Sequence, residues 1–167
     1  MDDITLSEIH EQYFPQVYRY IYFRLGDTEL SESLSSQVFI NLVKALQIQP
    51  GILDRLRDWL YTTANELTNT VLRSRKGNRR SLELKSGVGG NPARPNKSTD
   101  QFAWLGMIIH QSLWQLSLEQ QHVLALRFVG GFTPEEITSI CGRTVVEIRD
   151  SQYDALELMR QYLEEVS

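Results

Sequence analysis

Five cations fall within the eight residues RSRKGNRR: Arg73, Arg75, Lys76, Arg79 and Arg80. Upstream on the same helical stretch stand Trp59 and Tyr61. Capturing a single nucleic-acid strand takes cations that follow phosphates and rings or polar groups that receive bases, and this segment has both. Alternative readings stay open, because a basic run is also a common solvated helix end that complements the helix dipole. For Trp59, core packing is the favoured reading over base stacking. A second set, Arg143, Thr144, Glu147 and Arg149, opens the last long helical stretch of the chain. Reading duplex DNA takes polar side chains at the N-terminal end of a recognition helix.

Other chemistry does not assemble. His10, His110 and His122 fall in separate helical stretches, with no Glu or Cys at metal-ligand spacing. Cys141 precedes a turn glycine and has no neighbouring base in the sequence, so it reads as a small buried residue. Gly87, Gly89 and Gly90 do not lead from a strand into a capped helix, as a phosphate loop would. No catalytic residue, cofactor or metal site is expected, and hence no enzyme.

The second set is positioned by Thr133–Leu163, TPEEITSICGRTVVEIRDSQYDALELMRQYL. Thr133 with Glu136 makes a capping box, Pro134 suits the first helical position, and Gly142 suits the left-handed residue after a helix. Thr144 with Glu147 is a second capping box. Val145, Ile148, Ala155, Leu156, Met159 and Leu163 carry the helical period onward. A short helix, a tight turn with glycine and a longer helix predict a helix-turn-helix.

Upstream, Ile9, Tyr13, Val17, Tyr20, Ile21 and Leu25 mark a helical face that Gly26 ends, with a joint expected at Pro15. A second helix is expected over about Glu29–Leu46 and a third over about Leu53–Arg75. Residues 81–100, SLELKSGVGGNPARPNKSTD, read as a flexible linker. A helix then resumes near Gln101 with Phe102, Leu105, Ile109, Leu113 and Leu116 as its buried stripe, and Ser117 caps another. The expected fold is all-α: two small helical domains, 1–80 and 101–167, on a flexible 81–100 linker, the second with a helix-turn-helix. No apolar run approaches a membrane span, MDDITLSEIHEQ lacks the order of a signal peptide, and one cysteine forms no internal disulfide. A cytoplasmic protein without membrane insertion is expected. Charge is uneven: residues 1–100 carry +1 and residues 101–167 carry −5, so the expected DNA reader sits in the acidic half.

The stretches EQYFPQVYRYIYFRLGD, SQVFINLVKAL, RDWLYTTANELTNTVLRSRK and LWQLSLEQQHVLALRFVGGFTPEEITSICGRTVVEIRDSQYDAL, in this order and around a linker, resemble the extracytoplasmic-function sigma factors of bacteria, of the sigma-70 family. The resemblance spans nearly the whole chain except the linker. It implies a subunit that directs RNA polymerase to promoter DNA, initiates transcription without catalysis of its own, and is held off by an anti-sigma factor. On that resemblance the first domain binds core polymerase through Asp27, Glu29, Glu32, Leu34 and Gln37. It captures the melted minus-ten strand with Trp59, Tyr61, Asn65, Arg73, Arg75 and Lys76. Arg143, Thr144, Glu147, Arg149 and Tyr153 would contact the minus-thirty-five duplex.

Three segments depart from the family pattern. ELSESLSSQVF is less acidic than its counterparts, Asn65-Glu66 stands where Arg-Asn is usual, and the last helix gains Asp150 and Asp154. From Thr144 to Ser167 the net charge is −4. The alternative is a sigma-like interaction protein that occupies an anti-sigma factor or polymerase without reading promoters.

Overall fold

The computed structural model describes residues 4–86 and 101–166, without the side chains of 76–86 and 101–104. Seven α-helices make up the described fold, with no strand among those residues. They are α1 (Leu6–Leu25), α2 (Thr28–Ile48), α3 (Leu56–Ser86), α4 (Gln101–Trp114), α5 (Leu118–Leu124), α6 (Pro134–Cys141) and α7 (Val145–Val166). A 3₁₀ turn, Pro50–Arg55, leads into α3, and a π-helical turn, Ala125–Val129, prolongs α5. Of the expected 81–100 linker, residues 81–86 are helical, as the end of α3, and 87–100 fall outside the described residues.

The helix ends follow local chemistry. Thr5, Ser117 and Thr133 each accept from the backbone N–H three residues on, and Glu8, Gln120 and Glu136 return the bond to the cap N–H. Thr144 and Glu147 make the same reciprocal pair at the start of α7. Gly26 and Gly142 close α1 and α6 at φ 67° and 66°, a conformation that costs any residue with a Cβ.

Two boundaries differ from the sequence reading. α1 runs unbroken through Pro15. The carbonyl that Pro15 leaves without its helical donor belongs to Glu11, and both residues are exposed, so water can satisfy it. α3 extends to Ser86 rather than ending at Arg75, since RSLELKS is built of fair helix formers. The buried face of α4 keeps Leu113 and Leu116 of the expected stripe and departs from it further upstream. Ile108, Ser112 and Leu113 are buried, whereas Leu105 and Ile109 are 48% and 43% exposed.

The first half is a three-helix layer in which Ile9, Val17, Tyr20, Ile21, Val38, Leu42, Leu60 and Ala64 interlock. That core does not stop at the boundary between halves. Val123, Leu126, Phe132, Ile137 and Ile148, all from the second half, belong to the same cluster. A smaller core of Leu113, Leu116, Leu124 and Ala155 ties α4, α5 and α7 together. Each half therefore has an interior of its own, and the α5–α6 elbow of one presses on α1 and α3 of the other.

Candidate nucleic-acid interface

The π turn sets the elbow. Gly130 N–H reaches back to the Ala125 carbonyl at 3.0 Å, and Phe132 N–H to the Leu126 carbonyl at 3.1 Å. Gly131 takes φ 71°, and the Phe132 ring folds over Gly130 so closely that a Cβ there would lie 2.6 Å from it. Phe132 is thereby aimed at α3. Its ring stands perpendicular to Tyr61 at 4.9 Å, Tyr61 stands edge-on to Tyr20 at 5.5 Å, and Tyr20 edge-on to His122 at 5.8 Å. Such edge-to-face pairs add to the area they bury. The Arg57 guanidinium covers the outer face of Phe132 at 4.4 Å and pairs with the Glu136 carboxylate.

Beneath these rings lies a polar network. Arg24 on α1 is fully buried. It donates to Asn65 Oδ1 at 2.7 Å, Asn69 Oδ1 at 2.6 Å, the Tyr20 hydroxyl at 3.1 Å and Gln121 Oε1 at 3.4 Å. Tyr20 lies 2.7 Å from His122 Nδ1. Burial first, and the Arg24 charge second, hold His122 down to about 3, so the ring is neutral at pH 7. Nδ1 then accepts from the Tyr20 hydroxyl. Burial likewise pushes Tyr20 up to about 12, against the opposing pull of Arg24.

The residues expected to take a single strand are thus distributed over three settings. Tyr61 is buried under Phe132, and Trp59 is half-buried against the core. Asn65 faces Arg24. Arg75 donates to the Leu25 carbonyl and pairs at 3.5 Å with Asp27, bracing the α1–α2 corner, while Arg73 is exposed. The Lys76 side chain lies outside the described residues. Of the residues expected to bind polymerase, Asp27 caps α2 through the Leu30 N–H. Glu29 and Glu32 are exposed, Leu34 packs on the core, and Gln37 donates to Asn41 at 2.8 Å.

At the helix-turn-helix, α6 and α7 meet through Ile137, Ile148 and the capped turn. Arg143 pairs with Glu119 at 2.9 Å and Arg149 with Glu135 at 3.3 Å. Thr144 and Glu147 are spent on the cap, and Tyr153 is exposed. Three residues carry the structure of this surface without having been singled out in the sequence: Arg24, Gln121 and Asn69. Their signal was an Arg and two amides on otherwise apolar helix faces. Among the described residues, no three His, Cys, Asp or Glu side chains group to hold a metal, and no helix is long and apolar enough to cross a membrane.

The family description sigma-70 region 2 matches residues 9–80, the segment that holds α1, α2 and most of α3. The chain is 25% identical over 162 residues to the ECF RNA polymerase sigma factor BldN of Streptomyces coelicolor, covering 95% of this chain and 60% of that protein. It is 19% identical over 165 residues to the ECF RNA polymerase sigma factor SigX of Bacillus subtilis, covering 96% and 84%. Residues 9–80 thus match sigma-70 region 2, and nearly the whole chain is similar to extracytoplasmic-function sigma factors. Its fold is similar to that of the sigma factor RpoE, solved in complex with the anti-sigma factor NepR from Bartonella quintana, at a TM-score of 0.64 and 20% identity over 95% of this chain and 96% of that one. The chain spans about 60% of the length of BldN.

Proposed function

We propose that this chain directs core RNA polymerase to promoter DNA and initiates transcription from the cytoplasm, under the control of an anti-sigma factor and without catalysis of its own. The observation that carries this reading is the pairing, in one chain, of a region 2 match over 9–80 with a doubly capped helix-turn-helix at α6–α7. Residues 1–80 and 101–167 are its two working domains and 81–100 the connection. The exposed outer side of α2, with Glu29, Glu32 and the apolar Ile40 and Val43, fits a polymerase contact together with Asp27, Leu34 and Gln37. α3 supplies the single-strand face through Trp59, Tyr61, Asn65, Arg73, Arg75 and Lys76. The start of α7 supplies the duplex face through Arg143, Thr144, Glu147, Arg149 and Tyr153.

A second reading is supported by one observation. Arg143 and Arg149, the cations at the start of α7, are both engaged by carboxylates, and the helix they open is acidic. A chain that binds polymerase or an anti-sigma factor without reading promoters would tolerate this. Reconstitution with core polymerase separates the two. Specific transcripts from a mixed promoter pool support the sigma reading, whereas a stable polymerase complex that stays silent supports the second.

A further inference from the structure

The backbone of Arg143 is fixed from both sides. Gly142, at φ 66°, closes α6 immediately before it, and the reciprocal Thr144–Glu147 pair opens α7 immediately after it. Its side chain is held from another helix. Nε meets Glu119 Oε1 at 2.9 Å and Nη2 meets Glu119 Oε2 at 3.4 Å, so one edge of the guanidinium faces both carboxylate oxygens. Glu119 lies in the first turn of α5, whose start is set by the Ser117–Gln120 capping box. Arg149 is held less closely, by a single 3.3 Å contact with Glu135. Exposed ion pairs contribute little as a rule, and the two-point Arg–carboxylate geometry is the exception, because it fixes direction as well as distance.

A guanidinium carries five N–H groups in one plane. The Glu119 contacts take the Nε–H and one N–H of Nη2, and leave the edge formed by Nη1 and the second N–H of Nη2. That edge is a pair of parallel donors pointing away from the stem, which matches O6 and N7 of guanine in the major groove. Arg143 is exposed and stands at the N-terminal end of the recognition helix, where base contacts are made.

We propose that Glu119 is a positioning residue for duplex selection: it holds Arg143 with its outer edge presented to a guanine, so that α5 sets what the start of α7 reads. This rests on the reading of the start of α7 as the duplex face. Engagement by a carboxylate then does not withdraw Arg143 from DNA but restricts it to one orientation. An unrestrained arginine would pair with any nearby phosphate, a contact that carries no sequence. Glu119 thus lowers general affinity and raises discrimination.

The test uses the full chain assembled with core polymerase and offered a random-sequence duplex pool. Bound duplexes are sequenced, and affinities are then measured for the enriched element and for duplexes that lack it. Arg143→Lys keeps the charge without the fork and should lose the preference for one guanine of the element by about tenfold. Glu119→Gln should lose the same preference by about fivefold. Its binding to duplexes without the element should rise, because an anion has left a face within about a Debye length of phosphate. Glu135→Gln removes the same charge from a one-point contact, so it should raise binding to both kinds of duplex and keep the guanine preference. Preference unchanged in Glu119→Gln, or lost equally in both glutamine variants, overturns Glu119 as the positioning residue. Weaker binding of Glu119→Gln to both kinds of duplex shows a structural brace and overturns it too. A guanine preference that survives Arg143→Lys overturns Arg143 as the base reader. Wild type that enriches no element overturns the duplex-face reading itself and this proposal with it, whereas the other failures leave that reading standing.

Discussion

At the scale of single residues, the network around Arg24 governs behaviour that surface charges do not. Truncating Arg24 to Ala leaves three amide oxygens and a phenol in the seam without their donor. The expected loss is about 2–4 kcal/mol of folding stability, read from urea unfolding, and a loss below about 0.5 kcal/mol would show that the network contributes nothing net. His122 gives the seam a pH dependence with a defined sign. Its folded value of about 3 lies below its ordinary 6.5, so between those values the unfolded chain binds the extra proton. The contribution is fully present above pH 6.5 and is lost as pH falls toward 3, by at most about 1.4 kcal/mol per unit. His122→Asn should flatten the stability profile in that window relative to wild type. Parallel profiles would mean that the imidazole is not held neutral. On α7 the acids decide. Asp150 and Asp154 repel phosphate within about one Debye length, so Asp150→Lys with Asp154→Arg should tighten duplex binding and steepen its salt dependence by roughly one slope unit per new phosphate contact. An unchanged slope would place that face of α7 away from DNA.

At the scale of elements, local chemistry was legible and tertiary choice was not. The capping boxes at Thr133 and Thr144, the Ser117 cap and the glycine stops at 26 and 142 stand where the sequence puts them. Each depends on residues within a few positions of one another. The joint expected at Pro15 was wrong: α1 runs through it with the freed Glu11 carbonyl on an exposed face, where water can take the lost bond, and that exposure is a tertiary property. The stripe expected on α4 holds at Leu113 and Leu116 but not at Leu105 and Ile109, because several of its faces are apolar and packing against α1 and α7 buries Ile108 instead. The Arg24–Gln121 contact joins residues 97 apart, a partnership that no local pattern announces. The elbow leaves no room for a side chain at Gly130. Gly130→Ala would place a Cβ 2.6 Å from the Phe132 ring and 2.8 Å from the Leu126 carbonyl. It should destabilise the fold by about 1–3 kcal/mol and shift Phe132 off Tyr61. A thermal melt that matches wild type would show that the elbow relaxes freely.

At the scale of the whole molecule, the shared core couples the halves while the proposed function needs each to reach its own DNA. Val123, Leu126, Phe132 and Ile137 enter the core of α1 and α3, so Leu126→Ala should lower hydrogen-exchange protection in α1 and α3 as well as in α6. The central claim, the proposal that this chain selects promoters, meets its most direct test in transcription by core polymerase on a pool of random upstream sequences, with and without the chain. Sequencing the templates that yield defined starts should show two enriched elements at fixed spacing, present only when the chain is added. Polymerase that binds the chain stably and yet enriches no element would contradict the account.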